Sequence, residues 1–210
     1  ANPGDVLINE IFADPSPQVT LPAEEFVELY NKSNNAFNLN NWQFINSTTA
    51  KTLSNFVLLP NSYVILCDIN DTNLYSPYGD VIGISSFTAL TNGGDSLTLM
   101  DDNSNVIDVV AYDISWYNDP SKDDGGYTLE LINPKHPCTS SINWIASADV
   151  NGGTPGAQNS VYDTLPDIQN PNIAAVNIIS TTQLNVVFNE IMDSASLANA
   201  VYGINNGISV

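Results

Sequence analysis

Five carboxylates fall within INEIFADPSPQVTLPAEEFVELYN: Glu10, Asp14, Glu24, Glu25 and Glu28. Glu10 and Glu28 sit inside runs that otherwise alternate as β-strands. An unpartnered carboxylate is expensive to take out of water. The two are therefore an acid/base pair, metal ligands, or the wet face of two strands. A glycosidase needs two acids about 5–5.5 Å or 6.5–9.5 Å apart across a cleft. Neighbouring strands would place Glu10 and Glu28 about 5 Å apart, but adjacent glutamates without a sugar-stacking cleft simply repel. The nearby aromatics Phe12, Phe26, Tyr30 and Trp42 read as core residues. The expectation is solvent-facing glutamates, or one that accepts backbone N–H bonds.

Other catalytic templates fail on inventory. The single histidine, His136, lies in NPKHPC, a loop between Lys135 and Pro137. A Ser–His–Asp or Cys–His site would have to use it. Cys138 follows two residues later, a separation that defines no geometry, and no serine sits on a strand–turn–helix elbow. Zinc wants three or four His or Cys ligands, and the whole chain has one His and two Cys. TNGGD and DDGGY read as hairpin turns, because no lysine-bearing helix follows them. The chain is expected not to be an enzyme.

Calcium is the remaining candidate cofactor, since hard cations want several oxygen ligands. DDNSN opens with EF-hand spacing through Asp101, Asn103 and Asn105, and then breaks. Val106 stands where the loop needs glycine, and Tyr112 where it needs glutamate. DINDTN fails similarly at Thr72. Acids gathered from separate turns leave Asp14, Glu24 and Glu25 as the candidate cation ligands, against the alternative of solvated turn acids.

The charge balance narrows the partners. Four lysines and no arginine oppose 23 acidic residues, a formal charge of −19. Nucleic-acid binding requires a basic surface to displace counterions from phosphate, so DNA, RNA and anionic lipid are excluded as partners. No apolar run approaches the ~20 residues of a membrane span, which argues against membrane insertion. The N-terminus has no basic and apolar segments of a signal peptide; it reads as a mature terminus or a boundary. Cys67 and Cys138 allow one long-loop disulfide, which would fit an extracytoplasmic protein; two buried thiols are the alternative.

The elements that must position these residues are strands. DVLINEI, EFVELYN, YVILCD, SLTLMDD, VIDVVAY and YTLELI alternate, and NKSNN, LPNS, TNGGD, DDNSN and DPSKDDGG separate them as turns. Short strands with turns every 8–12 residues predict an antiparallel β-sandwich over residues 1–160. Leu97, Leu99, Ile107, Val109, Leu129 and Leu131 are its expected core. Residues 161–172 read as a linker. Residues 173–210 carry two further strand-like runs and a short helical turn at SASLANAVYGI. Forty residues bury too little surface to close a sandwich alone, so this part is expected to be a truncated second β domain.

The ordered set INEI, EFVELYN, NNWQF, GGDSLTLMDDNSNVIDVVAY, TLELINP, NW and GGTPGAQN resembles the lamin-tail domain in its bacterial form, over residues 5–159. The resemblance implies an immunoglobulin-like sandwich without a catalytic site, carried by secreted or cell-surface bacterial proteins. It also implies a binding or spacer role toward a protein or glycan partner, here as a monomer. The chromatin role of the animal relatives is not carried over, given the charge. The tail AVNIISTTQLNVVFNEIMDSASLANAVYGI resembles the start of bacterial Ig-like domains of surface layers. Phe188, Glu190, Met192 and Asp193 match the F-x-E-x-M-D element of those domains. The competing reading is an accessory domain of a larger secreted hydrolase whose catalytic domain lies outside this chain.

Overall fold

The computed structural model describes residues 1–135, 141–164, 171–188, 194–199 and 203. His136, Cys138, Glu190, Met192 and Asp193 lie outside the described residues. The chain divides into two units, Ala1–Leu165 and Pro166–Val210.

The first unit is an all-β, immunoglobulin-like sandwich. Its strands are β1 (Val6–Phe12), β2 (Phe26–Asn31), β3 (Phe37–Asn38), β4 (Gln43–Asn46), β5 (Thr49–Thr52) and β6 (Val57–Leu58). They continue with β7 (Tyr63–Asp68), β8 (Val81–Ile84), β9 (Gly94–Met100), β10 (Val106–Asp113), β11 (Leu129–Leu131) and β12 (Trp144–Ala146). One sheet has the order β12-β11-β1-β2-β7-β8 and the other β10-β9-β4-β5, with β3 and β6 paired separately. Pairing is antiparallel except between β7 and β8. That parallel step is made possible by a crossover through a single helical turn, α1 (Thr72–Tyr75), which the polar, Asn-rich sequence did not announce.

The core lies between the two sheets. Ile11, Val27, Leu29, Leu66 and Leu129 from the first meet Phe44, Leu97, Leu99 and Val110 from the second in one buried cluster. Five of the six expected core residues are there: Leu97, Leu99, Ile107, Leu129 and Leu131. Val109 is the correction, being 41% exposed. The register of β10 on β9 shifts between Val106 and Asp108. This bulge lets Ile107 and Asp108 both turn inward, and the alternation resumes with Val110 and Tyr112 buried. A bulge adds one residue, and one residue flips every side chain beyond it. Asp108 uses its inward position to accept the Ile8 N–H at 2.8 Å, which staples β10 to β1.

The six-stranded sheet is also covered on its outer face. There Phe12, Leu21, Phe26, Ile65, Cys67 and Tyr75 form a second apolar cluster. The Phe26 ring stands 5.5 Å from Phe12 and 5.0 Å from Tyr75. A sheet covered on both faces has strands buried along their whole length, as β1 is. Strict alternation of apolar and polar residues cannot be the rule for such strands.

In the second unit β13 (Ile173–Ser180) and β14 (Gln183–Phe188) form a hairpin, followed by α2 (Ser194–Asn199). Ile173, Val176, Ile178 and Ile179 are exposed on it. Among the described residues no helix is long and apolar enough to cross a membrane.

Replacing Leu99, which is fully buried, by alanine should cost about 2–5 kcal/mol. Val109→Ala should stay within about 0.5 kcal/mol, as surface changes do. Denaturant unfolding checks the bulge through Val109, because without it β10 would turn Val109 inward and its truncation would cost as much as that of a core residue, while Leu99 on β9 stays costly either way.

Candidate functional site

Strand register assembles an acid row that no local motif reveals. Glu10 on β1 is the direct cross-strand partner of Glu28 on β2 and of Glu130 on β11. All three are completely buried. The solvent-facing expectation for Glu10 and Glu28 is therefore overturned in favour of its alternative, a glutamate that accepts backbone N–H bonds, and Glu130, in the middle of TLELI, joins them. Its signal was available: INEIF, FVELY and TLELI each carry one glutamate at the centre of an apolar strand.

What covers the row is the segment 151–163, a strap that crosses the outer face after β12. The strap satisfies the acids one by one. Thr154 N–H donates to Glu10 Oε1 at 2.8 Å, beside the Thr128 hydroxyl at 2.7 Å. Gly156 N–H donates to Glu28 Oε2, and Asn9 Nδ2 to Glu28 Oε1 at 2.8 Å. The Thr154 hydroxyl donates to Glu130 Oε1 at 3.0 Å. The Ser160 hydroxyl (2.7 Å) and the Val161 N–H (3.2 Å) donate to Glu130 Oε2. Asn159 locks the far end by donating to the carbonyls of Asn9 and Leu131. Asn9 is available because a bulge between Ile8 and Glu10 leaves it out of the β1–β2 register.

The glycines of the strap follow from this closeness. A Cβ on Gly153 would lie 2.6 Å from Glu10 Oε1, 2.7 Å from Thr128 Cγ2 and 2.8 Å from Leu21 Cδ1. Gly156 adopts φ +78°, and a Cβ there would sit 2.2 Å from the Tyr78 carbonyl oxygen. GGTPG is thus the sequence of a chain pressed onto buried acids.

Desolvation dominates the electrostatics of the row. Burial raises the Glu10 carboxyl well above its ordinary range, and the charges of Glu28 and Glu130 raise it further. Burial pushes Glu28 up to about 8, against the lowering effect of its bonds from Gly156 and Asn9. Asp108 is pushed to about 6, again by burial. Among these donors one gap remains: Glu10 Oε2 has no hydrogen-bond partner.

The candidate cation ligands Asp14, Glu24 and Glu25 fall on the loop between β1 and β2. Glu24 and Glu25 line a cleft of about 370 Å³ together with Pro15, Asp68, Asp71 and Phe87. Glu25 is occupied by the Leu90 N–H at 2.7 Å, and Asp68 by the Phe87 N–H at 3.1 Å. Asp14 and Glu24 act on Glu25 through charge, raising a carboxyl that burial has already raised. Among the described residues no three His, Cys, Asp or Glu side chains are grouped to hold a metal ion.

Five other acids clasp their own turns. Asp68, Asp101, Asp113, Asp119 and Asp149 each accept the backbone N–H two residues ahead. In the EF-hand-like DDNSN, Asp101 is consumed by Asn103 and Asn105, and the Asn105 side chain above all holds its carboxyl below the usual range. Cys67 is a thiol inside the outer apolar cluster, where burial pushes it up to about 12; Cys138, its expected disulfide partner, lies outside the described residues.

A family model described as the Lamin Tail Domain matches residues 1–113. No curated protein matches the chain.

Two predictions follow from the row. Gly153→Ala forces the strap off Glu10 and Thr128 and should cost about 1–3 kcal/mol, the usual range for overpacking, read by thermal unfolding. The second concerns pH. Glu28 has a folded value of about 8 against an ordinary 4.5, so the folded state binds the extra proton between them. Its stabilising contribution is fully present below about 4.5 and is lost as pH rises through about 8. Unfolding free energy should therefore fall between pH 5 and pH 9, by on the order of 4 kcal/mol from this group. Glu28→Gln should flatten that slope.

Proposed function

Because the chain belongs to the lamin tail domain family, we propose that it is a non-catalytic binding or spacer module of a secreted or cell-surface bacterial protein. It presents loops and edge strands to a protein or glycan partner. The observation that carries this reading is the fate of the carboxylates. The acids that strand register brings face to face, Glu10, Glu28 and Glu130, are sealed beneath the strap and accept its donors. A general acid or base must reach a substrate, and these are buried among backbone and side-chain donors of the protein itself.

The charge of −19 supports solubility and repulsion from nucleic acid and anionic lipid. The second unit is taken as the beginning of a bacterial Ig-like domain, so that the two units form consecutive modules. The same features suit an accessory domain of a larger secreted hydrolase. In that case binding to the hydrolase's own polymeric substrate would be the distinguishing property.

An antibody raised against the purified chain should label intact, unpermeabilised cells of the source bacterium; labelling only after lysis would overturn the surface assignment. The purified chain should show no turnover of phosphoester, peptide or glycan substrates. Turnover that survives repurification and disappears in Glu10→Gln or Glu28→Gln would overturn the non-catalytic reading. Calorimetric titration with calcium should give heats that vanish in moderate salt, the mark of diffuse counterion attraction. A saturable site lost on mutating Asp14 and Glu25 together would instead establish a specific cation role.

A further inference from the structure

The strap and the acid row beneath it make a closed balance of donors and acceptors with one entry missing. Six carboxylate oxygens face the strap, and five of them accept hydrogen bonds from Asn9, Thr128 or the strap itself. The sixth, Glu10 Oε2, is buried and accepts none. It sits at the centre of the row, with a glutamate directly across on each side. A bare, desolvated carboxylate oxygen flanked by two further carboxylates is the least favourable place in the unit for negative charge. It is correspondingly the most favourable place for a proton.

The geometry points to a proton-held latch: the strap 151–163 stays closed over Glu10, Glu28 and Glu130 while the row retains a proton, and it is released when the row gives that proton to solvent. The device needs no conformational change elsewhere. When the proton leaves Glu10, charge stands on adjacent buried glutamates of the same desolvated row. Opening the strap is what lets water reach them.

The groups around the row do not supply an alternative counter-charge. From β1 the row receives Glu10, from β2 Glu28 and Tyr30, from β7 Tyr63, and from β11 Glu130. The strap adds Tyr162, whose charge acts on Tyr30 and Tyr63. Burial raises Tyr30 and Tyr63, so both stay neutral through the relevant range. The charges acting on Glu10 are those of Glu28 and Glu130, and the charge acting on Glu28 is that of Glu130. In the loops that lead to the strap, Lys122 donates to the Ser147 carbonyl at 2.7 Å and lies 3.9 Å from Asp119. Asp149 is turned onto Asn151.

Three backbone amides report the latch one acid at a time: Thr154 for Glu10, Gly156 for Glu28 and Val161 for Glu130. Residue-resolved hydrogen exchange on the whole chain, corrected for intrinsic base catalysis, is the test. Between pH 6 and pH 9 the protection of these three amides should fall at least tenfold more than that of the β9–β10 ladder amides. Glu10→Gln and Glu28→Gln, which are neutral at every pH, should remove that excess. Protection that tracks the β9–β10 amides throughout would overturn the latch, as would an excess that persists in both variants. Should a variant fail to fold, side-chain carboxyl carbon shifts of glutamate in the unaltered protein decide. At least one buried glutamate titrating above pH 6 supports the latch, and all of them titrating in the ordinary range refutes it.

Discussion

The outer face of the six-stranded sheet depends on one constraint: three glutamates, aligned across β11, β1 and β2, have been removed from water. Each buried carboxylate requires donors, and a continuous β-ladder has none to spare because its own N–H groups are paired along the strands. Apart from the side chains of Asn9 and Thr128, the donors come from a segment outside the ladder. The strap is that segment, and its sequence answers the requirement residue by residue. Glycine permits contact at 153 and 156, Thr154 donates twice, and Ser160 and Val161 finish Glu130. Asn159 then ties the strap to backbone carbonyls of β1 and β11, so that the acids and the sheet are held by the same dozen residues.

This arrangement separates the two faces of the sheet by chemistry. The inner face is apolar and packs against the second sheet. The outer face is divided between an apolar patch centred on Phe26 and the polar row beneath the strap. Apolar burial is non-directional, whereas satisfied buried polar groups demand one geometry. The strap can therefore sit in one register only, since a one-residue slide would orphan every acid at once. The lamin tail family match covers residues 1–113, which include Glu10 and Glu28. Glu130 and the strap lie beyond it, in the part of the unit that completes the row.

Much of the fold was legible in the sequence, and the limits of that legibility have physical causes. The strands β1, β2, β7, β9, β10 and β11, the turn at DDNSN and five of six core positions are legible from short apolar runs and turn chemistry. Val109 is not, because a bulge at Ile107 changes the phase and nothing in VIDVVAY marks where the extra residue goes. The acid row was misread for a different reason. A glutamate in an alternating strand ordinarily marks the solvent side, and that inference fails when both faces are covered. The cover is 150 residues away in sequence, as the Asn9–Asn159 bond shows. The turn acids were legible in the opposite sense. Asp101 and Asp68 looked like fragments of cation loops, and their ligand-like spacing is the spacing of a turn that clasps itself.

Those self-clasped turns have a bearing on how the chain reaches its fold. A β-sandwich assembles from contacts distant in sequence, and the entropy of closing its loops makes folding slow. Each aspartate that caps the amide two residues ahead needs nothing beyond its own tripeptide. Reversals of direction at Asp68, Asp101, Asp113 and Asp119 can thus form in the denatured ensemble, before any strand has found its partner. They narrow the search that the strands must then carry out. On this view the many aspartates, which give the molecule much of its negative charge, also act as a set of kinetic guides distributed along the chain.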